Sequence, residues 1–266
     1  MARVLITGCS SGIGRATALH LTNAGHEVIA TARNPLSLAD LAVSARLRLD
    51  VTDDDSVANA VAEAGRIDVL INNAGFSVWA PAELCPVAKA TQLVQTNLLG
   101  VMRMTQAVLP QMRQRRSGRI IQISSTSARR PSPLLSHYAA TKAAVETFSL
   151  ALRAEVREFG IWVSVVGMGA VQSNIGENRF TVATDDTDYA VVMARVRRRN
   201  QRLMSTPAPA QEVAATIQAV MEADEPEYRV YVGEAMRRTV AELAALSDAG
   251  FERRMLIELG FADAGK

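Results

Sequence analysis

The sequence has few cysteines, little net charge and no long apolar run. Cys9 and Cys85 are its two cysteines, and neither belongs to a CxxC pair or a Cys/His cluster, so we predict no disulfide and no metal site. The 29 Lys and Arg residues against 27 Asp and Glu residues give a net charge of +2, which does not favour nucleic acid as a partner. No apolar segment approaches the roughly 20 residues of a membrane span, and the amino terminus lacks a signal-peptide pattern, so we expect a cytoplasmic protein.

Short apolar segments alternate with amphipathic helical segments along most of the chain. The predicted strands are residues 3–7, 27–31, 45–49, 69–72, 119–124, 162–166 and 228–232. The predicted helices are residues 14–24, 56–63, 86–112, 138–159 and 211–223, followed by a helical tail. This alternation predicts an α/β fold, a doubly wound parallel sheet of the Rossmann-like type with helices on both faces. We expect one domain over residues 1–266, with a substrate lid at about residues 172–210.

Tyr138 and Lys142 are four residues apart in a segment that is Ala-rich and lacks Gly and Pro, as expected of a helix. Side chains at positions i and i+4 share a helix face, so the Lys142 ammonium is expected beside the Tyr138 phenol. A nearby positive charge lowers a phenol pKa from its ordinary value of about 10, which predicts a proton-transfer pair. The pattern alone is weakly specific, because an exposed helix with both residues on its solvated face also produces it.

A glycine cluster lies between the first predicted strand and the first helix, in the order Thr7-Gly8-Cys9-Ser10-Ser11-Gly12-Ile13-Gly14. Glycines at such a junction allow a tight turn and let the backbone approach a pyrophosphate, which then lies at the helix N-terminus. An ordinary strand-to-helix turn is the alternative. Because the cluster belongs to the first βα unit, we predict a dinucleotide site formed by Gly8, Ser10, Ser11, Gly12, Ile13 and Gly14.

The end of the second strand indicates which dinucleotide is bound. An acidic residue about 20 positions after the glycines suits the ribose 2′-hydroxyl of NAD, whereas an Arg suits the 2′-phosphate of NADP. The sequence there is Thr31-Ala32-Arg33-Asn34, with no acidic residue before Asp40. A guanidinium binds phosphate through two hydrogen bonds. We therefore predict that Arg33 selects NADP(H) over NAD(H), with a solvated loop arginine as the alternative.

These segments, in this order, resemble the short-chain dehydrogenase/reductase family over roughly residues 3–175 and again near residues 228–232. Besides the glycine cluster, the matches are Asp50-Val51, Asn72-Asn73-Ala74-Gly75, Asn97, Ser124-Ser125, Tyr138-x-x-x-Lys142 and Gly169-Ala170-Val171-Gln172-Ser173. Seven ordered matches are far more specific than any one of them. There is one departure: Met168 stands where the family commonly has a proline, so this turn lacks the stiffness that proline provides.

The resemblance implies further contacts with the cofactor. They are Asp50 and Val51 at the adenine, Asn73, Ala74 and Gly75 at the central ribose, and the Val171 backbone and Ser173 at the nicotinamide carboxamide. The alternatives are an ordinary helix N-terminus for the first pair and a turn for the residues at the central ribose.

The resemblance also implies an active site made of Asn97, Ser125, Tyr138 and Lys142. Ser125 precedes Tyr138 by thirteen residues, and the adjacent Ser124 is the alternative. Asn97 would bind a water that joins Lys142 to solvent. Tyr138 and Lys142 would also contact the cofactor, Lys142 at the nicotinamide ribose. The implied reaction is reversible hydride transfer between NADP(H) and a ketone or aldehyde and its alcohol, which makes the chain an NADP-dependent alcohol dehydrogenase or carbonyl reductase.

The predicted lid is the segment expected to choose the substrate. Its larger apolar residues are Phe180, Tyr189, Val191, Val192, Met193 and Met204. They suit a hydrophobic small molecule such as a steroid, a retinoid or an aliphatic ketone, although simple packing of a lid helix accounts for them equally well. The competing functions are an NADP-binding sensor or scaffold without chemistry, and a sugar-type epimerase or dehydratase. Family members pair their long helices, which implies a homodimer or homotetramer.

Overall fold

In the residues that the structure describes, nine strands form two parallel sheets. The structure is a computed structural model that describes residues 1–172, 179–182, 188–203 and 207–262, without the side chains of residues 202 and 203. Its strands are β1 Arg3–Ile6, β2 Glu27–Ala32, β3 Ala45–Arg48, β4 Val69–Asn72, β5 Val78–Trp79, β6 Gly118–Ile123, β7 Ile161–Gly167, β8 Phe180–Thr181 and β9 Arg229–Tyr231. Seven of them pair in the order β3-β2-β1-β4-β6-β7-β9, and every pairing is parallel. Each of these seven lies within one residue of a predicted strand at either end.

Helices cover both faces of the seven-stranded sheet. They are α1 Gly12–Asn23, α2 Asp54–Ala64, α3 Val87–Val94, α4 Gly100–Gln114, α5 Ser136–Val156, α6 Ala190–Leu203, α7 Ala210–Glu222, α8 Glu234–Ala244 and α9 Asp248–Glu258. Alternate residues of a strand point to opposite faces, so Ile6 packs with α1 and α7, whereas Leu5 packs with α2, α4 and α5. The predicted α/β, doubly wound parallel fold is confirmed.

The order of the strands creates a crevice at the carboxyl ends of β1 and β4. The chain proceeds outward from β1 to β3 on one side, and then returns to β4 beside β1 before proceeding to the other side. Connections on either side of this point leave the sheet in opposite directions, and ligands of open α/β sheets bind in the crevice between them. The glycine cluster follows β1 and Asn73 follows β4, so the fold brings these two predicted site segments together.

The long helix predicted for residues 86–112 is wrong, because the structure divides it in two. Helices α3 and α4 are separated by a π-helical turn over Gln95–Leu99. A π turn carries an extra residue relative to an α-helical turn and commonly occurs at functional sites. Here it places Asn97 in the interior, where its side chain is fully buried.

A small second sheet was not predicted from the sequence. Strands β5 and β8 are two residues each and pair in parallel, with Val78 opposite Phe180 and Trp79 opposite Thr181. Two residues are too few to produce a detectable alternation of apolar and polar positions. The pairing attaches part of the predicted lid to the loop that follows β4. In the described ranges, no helix is both long and apolar enough to cross a membrane.

Candidate active site

The glycine cluster forms a tight backbone turn above the carboxyl end of β1. Gly8 has a φ of +74°, a left-handed conformation that side-chain-bearing residues rarely adopt. A Cβ at Gly14 would lie 2.4 Å from the Gly8 carbonyl oxygen and 2.4 Å from Asn73 Nδ2. Ser11 is the N-cap residue of α1, yet its side chain makes no capping hydrogen bond. The exposed amides at this helix N-terminus therefore suit an anionic group such as a pyrophosphate.

Thr7 and Asn73 hold this turn against the end of β4. Asn73 Nδ2 donates to the Thr7 carbonyl at 2.9 Å and to the Gly8 carbonyl at 3.0 Å. In return, Thr7 Oγ1 accepts from the backbone amides of Asn73 at 3.0 Å and Ala74 at 2.9 Å. Asn73 thus acts through the shape of the glycine loop as well as through any direct contact with a ligand.

We expect Gly14→Ala to weaken NADPH binding by about tenfold to a hundredfold. The new methyl group would meet backbone, and displacing the turn costs roughly 1–3 kcal/mol of binding free energy. Fluorescence titration with NADPH measures the loss. Gly25→Ala is a matched glycine substitution, because a Cβ there meets no atom within 4 Å. Gly25 has a positive φ, unlike Gly14, so this control shows the effect of backbone strain without a steric clash. Equal NADPH affinity in the two variants would refute the steric argument.

Arg33 and Asp50 lie together at the outer end of the crevice. Partial burial tends to raise the pKa of Asp50, but hydrogen bonds from Thr52 and the charges of Arg33 and Arg48 outweigh it, so the pKa is lowered. Arg33 is exposed and available to a phosphate. Val51 is buried in the core, which leaves its backbone for any contact with an adenine.

Asp50 does not cap the helix that follows it. The N-cap of α2 is Asp53, whose carboxylate accepts from Ser56 N at 2.6 Å. An acidic residue after Thr52 thus caps this helix, as the alternative of an ordinary helix N-terminus expects, and the contact of Asp50 with an adenine stays a prediction.

Ser125, Tyr138 and Lys142 line one cleft together with the predicted cofactor residues. The cleft measures about 530 Å³ including its open mouth. Its other lining residues are Ile13, Asn73, Gly75, Phe76, Ile123, Ser124, Met168, Gly169 and Val171. Ile13 comes from the glycine cluster and Gly75 from the end of β4, so three distant parts of the sequence meet here. A nicotinamide bound by Ile13 and Gly75 would share this cleft with Tyr138.

The two neighbouring serines have different partners. Ser124 Oγ donates to Glu146 Oε1 at 2.9 Å, so its hydroxyl hydrogen is already used by a buried partner. Ser125 Oγ accepts from the backbone amide of Ser127 at 3.1 Å, and it lies close enough to Tyr138 to oppose the effect of burial on the pKa of the phenol. Ser125 is therefore the serine whose hydroxyl reaches the cleft beside the phenol.

The expected lowering of the Tyr138 pKa is wrong. Burial raises the pKa of the phenol, and the hydrogen bond with Ser125 opposes this only in part. Lys142 Nζ is 5.8 Å from the centroid of the Tyr138 ring and donates to the Ile123 carbonyl at 2.7 Å. Burial also lowers the pKa of Lys142 to about 8, against an opposing effect of Glu146. Near neutral pH the site thus combines a protonated phenol with a lysine that is close to losing its proton.

Asn97 supports the loop that carries Phe76. Its Nδ2 donates to the Phe76 carbonyl at 2.9 Å, and its Oδ1 accepts from the Phe76 amide at 3.1 Å. The same Nδ2 is 3.4 Å from Thr141 Oγ1 on α5. The side chain thus joins the loop after β4 to the helix that bears Tyr138, and its role in carrying a proton to solvent stays a prediction.

Met168 occupies the predicted turn and is buried, with its side chain at the cleft wall. Its carbonyl accepts from Thr126 N at 2.9 Å, which ties this turn to the segment after Ser125. Val171 is also buried and forms a β-bridge with Ala208. Ser173 lies outside the described residues, as does Met204 of the lid.

Two residues at the site, Phe76 and Glu146, were not predicted from the sequence. Phe76 lines the cleft with Tyr138 and follows Gly75 directly, so its position just after the end of β4 was a usable signal. Glu146 lies one helical turn beyond Lys142 and is buried. The spacing of four residues from Lys142 was its signal, although an acidic residue on a helix is ordinarily solvated.

Comparisons with known proteins agree with this arrangement. The family described as short chain dehydrogenase matches residues 2–184. The 3-ketodihydrosphingosine reductase of Bacteroides thetaiotaomicron is 36% identical over 236 residues, which cover 86% of this chain and 87% of the relative.

Solved structures extend the agreement to the whole fold. A short-chain dehydrogenase from Streptomyces avermitilis has a TM-score of 0.83 at 32% identity and covers 97% of this chain and 96% of its own. The closed form of a serine dehydrogenase complexed with NADP+ has a TM-score of 0.74 at 26% identity, over 86% of this chain and 93% of its own. The chain belongs to the short-chain dehydrogenase/reductase family of oxidoreductases.

Proposed function

We propose that the chain reduces a hydrophobic ketone or aldehyde to its alcohol, and catalyses the reverse reaction, with NADP(H) as the hydride carrier. The observation that carries the proposal is the single cleft in which Ser125, Tyr138 and Lys142 meet Ile13 and Gly75. An acid, a hydroxyl donor and a buried cation beside a dinucleotide turn are the groups that this reaction requires.

The proposed cofactor is NADP(H) rather than NAD(H). Arg33 is exposed at the end of β2, and Asp40, the first acidic residue after it, is already paired with Arg15. The 2′-phosphate would therefore meet a guanidinium and no unpaired carboxylate from this segment. The NADP+ bound to the related serine dehydrogenase supports the same assignment.

In the proposed reaction the bound nicotinamide supplies or accepts the hydride. Ser125 and Tyr138 both donate hydrogen bonds to the carbonyl oxygen as it gains negative charge. Because burial keeps the phenol protonated, Tyr138 then donates its proton to that oxygen. Lys142 provides the positive charge that stabilises the phenolate left behind. Reduction requires the protonated phenol, which is the form that burial favours.

The substrate is proposed to be hydrophobic at the reacting end. Phe76, Ile123 and Met168 line the cleft together with Tyr138, so the surface beside the acid is largely apolar. By its name, the Bacteroides relative reduces a long-chain ketone. The lid helix contributes less to this argument, because Met193 and Val196 of α6 are buried against Trp79. Simple packing accounts for those two residues.

A homodimer or homotetramer stays part of the proposal. Leu150 on α5 and Val94 on α3 are exposed large apolar residues of the single chain. Such exposed apolar side chains fit the helix pairing that the resemblance to the family implies.

A panel of ketones and aldehydes, assayed with NADPH and NADH side by side, tests the function. We expect NADPH oxidation with apolar ketones, and a fall of about tenfold to a hundredfold in kcat/KM with NADPH for Arg33→Ala because a phosphate partner is lost. The rate with NADH changes little in the same variant. Arg113→Ala, which alters an exposed arginine on α4, is the matched control.

Three results would oppose the proposal. A preference for NADH in the wild type contradicts the role of Arg33. Tight NADPH binding without oxidation of NADPH by any carbonyl compound favours a sensor, and turnover without net NADPH consumption favours an epimerase.

A further inference from the structure

Glu146 is a buried carboxylate beside the proposed active site. Its residue is 3% exposed, on the face of α5 that also bears Tyr138 and Lys142 at intervals of four residues. An ionised side chain in such a place loses its hydration, which costs several kcal/mol unless charged or hydrogen-bonding partners replace the water. The partners of the Glu146 carboxylate therefore show how its charge is stabilised in the interior.

Both carboxylate oxygens of Glu146 have partners from distant segments. Oε1 accepts from Ser124 Oγ at 2.9 Å. Oε2 accepts from Nε and Nη2 of Arg229 on β9, both at 2.9 Å, and Arg129 Nε lies 3.5 Å away. The Tyr228 hydroxyl donates to the Glu146 backbone carbonyl. The carboxylate is thus held at a fixed position between α5, the end of β6 and β9.

This position connects Glu146 to two groups of the proposed mechanism. Ser124 lies between Ile123, whose carbonyl accepts from Lys142 Nζ, and Ser125, whose hydroxyl reaches Tyr138. A carboxylate that fixes Ser124 therefore fixes the acceptor of Lys142 and the hydroxyl of Ser125 at once. Its negative charge also opposes the effect of burial on the Lys142 ammonium.

We propose that Glu146 is a positioning residue of this active site, which stabilises the protonated form of Lys142 by its charge and holds the strand end that carries Ser125. The catalytic part of this inference rests on the proposed function, whereas the effect on Lys142 does not. Buried amines lose their proton easily, and a carboxylate on the same helix face is the structure's means of preventing it.

The other groups around Glu146 do not titrate in the same way. Arg129 and Arg229 are the guanidiniums that face the Glu146 carboxylate. Burial raises the pKa of Tyr231 to about 12, with Glu146 adding to the effect, and burial raises the pKa of Tyr228 as well. Between pH 6 and pH 10, roughly, Lys142 is therefore the neighbour whose charge changes.

The small number of lysines allows a direct test. The chain has three lysines, Lys89, Lys142 and Lys266, so protein grown with ¹³Cε-lysine gives three signals whose pH titrations are separable. We expect the midpoint of Lys142 to fall by about one pH unit or more in Glu146→Gln, because an opposite charge at this range shifts a pKa by about one unit or more. Glu146→Asp, which retains the charge, recovers part of the shift. Glu155→Gln alters an exposed glutamate on the same helix and leaves the Lys142 midpoint unchanged.

Activity supplies the second measurement. Because the protonated lysine is the active form, the loss of kcat at high pH is expected to begin at lower pH in Glu146→Gln than in the wild type. Ser124→Ala is expected to lower kcat by about tenfold without moving the Lys142 midpoint, since it removes the tether and keeps the charge.

The two parts of the inference fail in different ways. An unchanged Lys142 midpoint in Glu146→Gln overturns the charge effect, whatever happens to stability. Because the titration needs no substrate, it stands even when no carbonyl compound is reduced, an outcome that would sink the proposed function instead. If Glu146→Gln does not fold, the double variant Glu146→Gln/Arg229→Gln removes both charges of the pair, and the same fall in midpoint is required of it.

Discussion

We expect Tyr138→Phe to lose at least about a hundredfold in turnover while it still binds NADPH. The variant keeps the ring, which packs against the buried cluster that includes Val78 and Leu93, and removes only the hydroxyl that would donate the proton. A positioned acid contributes roughly 10²–10⁴-fold, so the loss belongs in that range. Stopped-flow or steady-state NADPH oxidation with the best carbonyl substrate measures turnover, and fluorescence titration measures binding.

Tyr231→Phe is the matched control for this prediction. Tyr231 is buried, and its hydroxyl has no hydrogen-bond partner in the described part of the chain. Its removal tests the general effect of deleting a buried phenol hydroxyl. Near-normal turnover in Tyr138→Phe, or an equal loss in Tyr231→Phe, would show that Tyr138 is not the proton donor.

The second large effect concerns Lys142, whose replacement by methionine should stabilise the protein and inactivate it. Lowering the pKa of a buried lysine from 10.5 to about 8 means that the charged form costs about 3 kcal/mol in the folded state. Loss of the hydrogen bond to the Ile123 carbonyl reduces the expected gain in stability by about 1 kcal/mol. We therefore expect Lys142→Met to unfold with a free energy about 2 kcal/mol higher than the wild type at pH 7. Turnover falls at least about a hundredfold, because the charge that stabilises the phenolate is gone.

The pH dependence of this gain follows from the lowered pKa. Below about pH 8 the lysine is protonated in both states, so the full cost of burying its charge is present. Between pH 8 and 10.5 the folded state releases the proton first, and the free energy of unfolding of the wild type rises with pH from this group. The advantage of Lys142→Met is therefore greatest at pH 7 and fades towards pH 10.5.

Urea denaturation at pH 7 and pH 10 measures both predictions for Lys142. Lys89→Met replaces a half-buried lysine on α3 that donates to Gln92, and it is expected to change the free energy of unfolding by less than about 1 kcal/mol. A wild type that is more stable than Lys142→Met at pH 7 would contradict the argument. A confirmed gain would mark Lys142 as a residue retained for chemistry at the expense of stability.

The sequence by itself determined the sheet and the order of its segments. Strands β1, β2, β4, β6 and β7 are short runs rich in Val, Ile and Leu between amphipathic helices, and such runs are detectable from spacing alone. The glycine cluster and the Tyr138–Lys142 pair are equally local, because each depends on intervals of a few residues along one turn or one helix. The order of these motifs then predicted the family, which the comparisons confirmed.

Only the tertiary structure decided the chemistry within the cleft. Burial by distant segments raised the Tyr138 pKa, which the sequence predicted to be lowered. The hydrogen bond from Ser124 to Glu146 showed which of the two adjacent serines is left for the cleft. The π turn at Asn97 was not predicted from the sequence. The ion pair of Glu146 with Arg229 had no local signal either, since Arg229 lies 83 residues further along the chain. Spacing along a chain determines which side chains share a helix or strand, whereas desolvation and ion pairing depend on which remote elements pack around them.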